Sequence, residues 1–208
     1  IIGYLGTGTA EIGTTTGAIN ITGTTSNSNY ANRIALGLYA ASVTSTSGAV
    51  NLTANSGSSN SYQTYFDAAK APSINAGSGA VTIIGNTGGA TDTFTGGTVT
   101  STSSILIQSN KPAFSSSTTF TLAGAVAKVL ESPSGSSSFG AAVDTTGLAV
   151  TSNTTSMRVG TTGNTANVTI GTAWTVNGPI NLYGGNVAVN ANMTISPDRK
   201  STRLNSSH

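Results

Sequence analysis

The chain has no cysteine and a single histidine, His208, at its last position. A disulfide framework, the usual support of a small secreted domain, is therefore excluded, and zinc and haem sites lose the Cys and His clusters they need. A Ser-His-Asp or Cys-His nucleophile requires an imidazole base, and none lies in the body of the chain. Charge is scarce as well, at 7% of residues, where an ordinary globular domain has roughly 25%. The acids Glu11, Asp67, Asp92, Glu131 and Asp144 are scattered, so the clustered carboxylates of a glycoside-cleaving site do not assemble from spacing alone. No apolar run approaches the roughly 18 residues of a membrane-spanning helix. Disorder is a poor description too, because 37% of the residues are hydrophobic and they recur in register.

What the chain does have is an internal repeat. Segments beginning at Ile12 (IGTTTGAINIT), Val43 (VTSTSGAVNLT) and Ile74 (INAGSGAVTII) align without a gap, each 31 residues after the last. Ile12, Val43 and Ile74 form one apolar column, Ile19, Val50 and Val81 a second, and Ile21, Leu52 and Ile83 a third. Asn20, Asn51 and Thr82 fall between the second and third, so each copy alternates with the period of two that a strand requires. One copy is too small to bury its own apolar face. Copies stacked at about 4.8 Å bury a continuous one, and the pattern predicts a parallel β-solenoid.

The C-terminal part repeats the theme in a shorter register. Apolar pairs stand at Val168/Ile170, Trp174/Val176, Ile180/Leu182, Val187/Val189 and Met193/Ile195. Three strand-and-corner steps carry 168 to 187 and 174 to 193, 19 residues each, which suits a coil with three short faces. Val168 is expected to stack on Val187, and Trp174 on Met193. The fold class expected is thus all-β, a right-handed parallel β-helix with three short strands per rung, the handedness coming from the family resemblance below. In the 31-residue copies the surplus is expected as a loop at one corner: Gly23 to Arg33, Ala54 to Tyr65 and Gly85 to Phe94, all rich in Gly, Asn and Ser. Between Lys111 and Val150 the pattern is least regular. Phe120/Leu122 and Leu148/Val150 read as strand pairs, and Ala125 to Ser132 as a strand, since Pro133 ends it and no capping box opens it. Composition agrees: Gly occurs 26 times and Ser plus Thr make up roughly a third of the residues, suiting strands, tight corners and stacked polar ladders. Residues 1–197 are read as one domain.

The last eleven residues, Asp198 to His208 (DRKSTRLNSSH), break with everything before them. They match the translation of a common sequencing-library adapter and are expected to be a non-native tail. The chain carries 8 Lys+Arg and 6 Asp+Glu. Removing Arg199, Lys200, Arg203 and Asp198 leaves 8 − 3 = 5 against 6 − 1 = 5, and with that balance nucleic acid is not an expected partner. The chain opens at Ile1 without Met and is read as a piece of a longer protein.

The strands SGAVNLTANSG and SGAVTIIGNTG, and the stretch NVTIGTAWTVNGPINLYGGNVAVNANMTIS, resemble the repeat region of filamentous-haemagglutinin-like proteins, large exported β-helix adhesins of Gram-negative bacteria. The resemblance spans most of Ile12 to Ser196. It implies a long right-handed coil, secreted or displayed at the cell surface by two-partner or autotransporter-type export, with its secretion partner outside this segment. The expected function is a non-catalytic adhesive stalk or rod without cofactor or metal, meeting glycans or proteins of a host or neighbouring cell. Tyr30, Tyr62, Tyr65 and Phe94 are the candidate contact residues, placed at the variable corner. A solenoid polysaccharide-active enzyme or a phage fibre is the alternative reading, with Asp67 and Asp92 the only acids able to share a side. An ice-binding solenoid is a minor alternative, disfavoured because the columns Thr14–Ser45–Ala76 and Thr16–Ser47–Ser78 lose their threonines. GGATDTFTGG around Asp92 reads as a turn and not as a calcium-binding repeat, and Arg158 as a solvated outward side chain.

Overall fold

The computed structural model describes residues 1–3, 9–25, 34–56, 62–85 and 90–196. These residues contain no helix, only short strands that follow one another in threes. The first coil contributes β1 (Ala10–Thr14), β2 (Ile19–Thr25) and β3 (Ile34–Leu38), the second β4 (Ala41–Ser45), β5 (Val50–Ser56) and β6 (Tyr62–Phe66). The third has β7 (Ser73–Asn75), β8 (Val81–Gly85) and β9 (Thr91–Phe94), the fourth β10 (Gly97–Thr100), β11 (Ser104–Gln108) and β12 (Pro112–Phe114). Then come β13 (Phe120–Ala123), β14 (Ala127–Glu131) and β15 (Val143–Asp144), followed by β16 (Leu148–Val150), β17 (Ser156–Val159) and β18 (Val168–Ile170). The last are β19 (Trp174–Val176), β20 (Ile180–Leu182), β21 (Val187–Val189) and β22 (Met193–Ile195).

Every pairing joins a strand to the one three places on, and all are parallel. The first face runs β1-β4-β7-β10-β13-β16 and resumes as β19-β22; the second runs unbroken from β2 through β5, β8, β11, β14 and β17 to β20. The third face is β3-β6-β9-β12 followed by β15-β18-β21. This is an all-β parallel β-solenoid with three strands per coil. The columns lie where the repeat places them: Ile12 on Val43 on Ile74, Ile19 on Val50 on Val81, and Ile21 on Leu52 on Ile83. Val168 stacks on Val187 and Trp174 on Met193. The segment around Lys128 is a strand, β14, and Phe120/Leu122 stack on Leu148/Val150.

Of the expected corner loops, residues 26–33, 57–61 and 86–89 lie outside the described residues, and the described flanks are largely strand. β2 and β5 continue to Thr25 and Ser56, and the chain is already in strand again at Tyr62 and Thr91. Part of what reads as loop is therefore the second face prolonged, and part is the third face itself. Strands this short give little alternation signal, while stacking on the coil below still orders them.

The core is one continuous file of aliphatic side chains from Ile19 to Val176. Its densest part is aromatic. Leu38, Phe66, Phe94 and Phe114 form one inward column on the third face, with ring centroids 5.5 Å apart for Phe66–Phe94 and for Phe94–Phe114. Phe120 enters from the first face, edge-on to Phe66 at 5.1 Å and 5.0 Å from Phe94. Such offset and edge-on pairs add about 0.5–1.5 kcal/mol each beyond their buried area.

Candidate functional site

Corners decide which polar groups this coil can hold, because the chain turns there and leaves backbone groups without ladder partners. Between the first and second faces a buried serine answers that need. Ser45 accepts the Gly48 N–H at 2.8 Å, and Ser101 donates to the Gly79 carbonyl at 2.7 Å while accepting the Ser103 and Ser104 N–H groups. In the fifth coil the equivalent position is Gly124, at φ 103°. There the donor is an ammonium. Lys128 is 0% exposed and stands in the inward column between Ile105 and Met157. Its Nζ donates to the Gly124 carbonyl at 2.7 Å and to the Thr154 hydroxyl. Burial draws its pKa from 10.5 down to about 8.

Asp92 occupies the corresponding place between the second and third faces. It lies in strand β9, opposite Pro112, and is 1% exposed, so neither the expected turn nor a solvated loop carboxylate describes it. Oδ1 accepts the Thr64 N–H at 3.0 Å and Oδ2 the Ser109 hydroxyl at 2.6 Å. A Cβ on Gly85 would overlap the carboxylate, so glycine makes the room for it. Burial pushes the Asp92 carboxyl from 3.8 up to about 6, and the hydrogen bonds oppose that shift without cancelling it. Asp67 turns elsewhere, its Oδ1 capping the Ala69 N–H at 2.7 Å. The two acids thus serve separate local structures.

The four candidate contact residues divide. Tyr30 lies outside the described residues, and Tyr62 opens β6, so it belongs to a strand and not a loop. Phe94 corrects the expectation outright: it is 1% exposed in the aromatic core, because its strand turns it inward in register with Phe66. Tyr65 is half-buried on the outward side of β6, in register with Gly37 and Thr93. Its ring lies 5.6 Å from that of Tyr39. Tyr39 in turn covers Gly37, where a Cβ would approach its ring to 2.9 Å.

The outer faces are small and polar. On the first, Ser42, Ser73, Thr98 and Thr121 stand in one column and Thr44, Asn75 and Thr100 in the next. Ser45 and Ala76, by contrast, are buried, so the column headed by Thr14 runs along the inward side. On the second face the Asn51 amide donates to the Asn20 carbonyl oxygen at 2.9 Å, an asparagine ladder of the kind the repeat predicts. Arg158 points outward as expected and is paired there, its guanidinium bonding Glu131, which also accepts from Gln108 at 2.9 Å.

Among the described residues no three His, Cys, Asp or Glu side chains gather as metal ligands, and no helix is long and apolar enough to cross a membrane. No protein family, curated protein or solved structure compared with this chain matches it.

Proposed function

We propose that this chain is a structural, adhesive length of a large exported bacterial surface protein, a rod that carries contact positions and performs no catalysis. The observation that carries the reading is the parallel stacking of three faces, coil after coil, with apolar columns enclosed and mostly polar, sparsely charged residues outside. Such an object is built to span distance: each coil adds about 4.8 Å. Its resemblance to haemagglutinin-like repeats rests on these same strands. The partner is a glycan or protein of a host or neighbouring cell, met at the third face around Tyr65, on the strand that Tyr62 opens. Phe94 takes no part, since its ring is enclosed.

The test is to display the chain on a non-adherent bacterium and count attachment to epithelial cells and to an immobilised glycan panel. Attachment that falls several-fold with Tyr65→Ala, at unchanged surface level, supports the reading. Attachment no better than the empty display scaffold removes it, and release of new reducing ends from a polysaccharide panel by the purified chain, lost in Asp67→Asn, would put an enzyme in its place.

A further inference from the structure

A charged side chain inside a solenoid has its own chain above, below and across from it, and cannot turn to water. Asp92 and Lys128 are the two such residues among those described. They belong to different coils and opposite corners, and every hydrogen-bond partner they have is neutral: the Thr64 N–H and Ser109 hydroxyl for one, the Gly124 carbonyl and Thr154 hydroxyl for the other. The charged residues on the neighbouring elements are Lys111, Glu131, Arg158 and Asp67. Lys111, just before β12, gives its backbone carbonyl to the Asp92 N–H. Glu131 and Arg158, on the strands that flank and carry Lys128, point outward and pair with each other. Asp67 is bound to its own turn.

We propose that these two enclosed charges give the coil a pH response opposite to the common one, with resistance to unfolding lowest near neutrality and rising on both sides, as Asp92 takes up a proton in acid and Lys128 releases one in alkali. The signs follow from linkage. A carboxyl whose folded value, about 6, lies above its ordinary 3.8 binds its proton more tightly in the folded chain, so stability falls as pH rises from about 4 to about 6. An ammonium lowered from 10.5 to about 8 is held less tightly in the folded chain, so stability climbs from about pH 8 toward 10. Between those windows both charges are present and both desolvation costs are in force. Two pH units of displacement correspond to about a hundredfold in the folding equilibrium on each side. The aromatic cluster of Phe66, Phe94, Phe114 and Phe120 spans the second to the fifth coil, which include those of both charges, and its burial offsets part of that cost.

Urea unfolding of the whole chain, followed from pH 4 to pH 10, tests this. The wild-type midpoint is expected to pass through a minimum between about pH 6 and pH 8. Asp92→Asn should flatten the acid limb alone, and Lys128→Met, which continues the column of Ile105 and Met157, the alkaline limb alone. A wild-type profile that peaks near neutrality, or variants that keep both limbs, would overturn the proposal. Should either variant fail to fold, NMR titration of the wild-type Asp92 carboxyl and Lys128 ε-methylene decides it: midpoints near the ordinary 4 and 10.5 sink the idea, and displaced ones sustain it.

Discussion

Where the chain passes from the first face to the second, Gly48 rests on the carbonyl of Gly17, and Gly79 on that of Gly48. The glycine of each SGA corner is fixed by this approach, coil upon coil, and not by an unusual dihedral angle. A methyl group there must push apart two backbones that the ladders on both sides hold at strand spacing. Gly48→Ala is therefore expected to destabilise by about 2 kcal/mol or more in urea unfolding. Gly13→Ala is the internal comparison. Its new Cβ would meet only the Thr44 carbonyl oxygen at 3.7 Å, so a change within about 0.5 kcal/mol is expected. If both substitutions cost the same, the close-approach argument fails. Ala71 is the reverse case, a side-chain-bearing residue at φ 42°, where an L-residue carries about 1–2 kcal/mol of strain. Relief of that strain outweighs the added backbone freedom of glycine, so Ala71→Gly should raise the urea midpoint, by up to about 1 kcal/mol in stability.

A strand in this molecule has meaning only through the strand three places before it. That dependence gives a sharp test at the level of the element, because removing residues 43–73, 31 in number, deletes one coil and leaves every later column in phase. Melting followed by far-UV circular dichroism should show a shorter but still cooperative solenoid. Removing 32 residues from the same start sends every later apolar side chain outward near the junction, and that version should lose cooperative melting. The same periodicity explains what was legible beforehand. The columns at Ile12, Ile19 and Ile21 announced themselves because apolar residues return at equal spacing, and the pairs from Val168 to Ile195 because their corners are short. The third-face strands are harder to see, as they are short and β9 carries Asp92 at an inward position where alternation would want an apolar side chain. Asp92 and Lys128 escaped for a related reason. Composition assigns charges to the surface, and only register shows that Lys128 belongs to the column of Ile105 and Met157. The coil lengths offered the one available signal, since aligning Leu106 with Val129 would have turned Lys128 inward.

At the scale of the whole molecule, stability is close to a sum over neighbouring coils, with little that couples distant ones directly. A middle coil is closed above and below: Val50, Leu52, Val81, Ile105 and Ile107 are each at most 1% exposed. The last strands differ, for Val187 is 37%, Val189 49% and Ile195 53% exposed, although they continue the same columns. Their ladders bond on one side to β18 and β19, and their side chains bury less area per residue ordered. Opening from that end thus forfeits fewer contacts than opening from the middle, where two stacking interfaces must part at once. Native-state hydrogen exchange at a single pH should therefore show amides of β20, β21 and β22 exchanging first and those of β5, β8 and β11 last, with the free energy of opening rising by steps from coil to coil. One uniform value across all coils would mean that the solenoid opens as a single unit, and that nearest-neighbour stacking does not describe how it is held together.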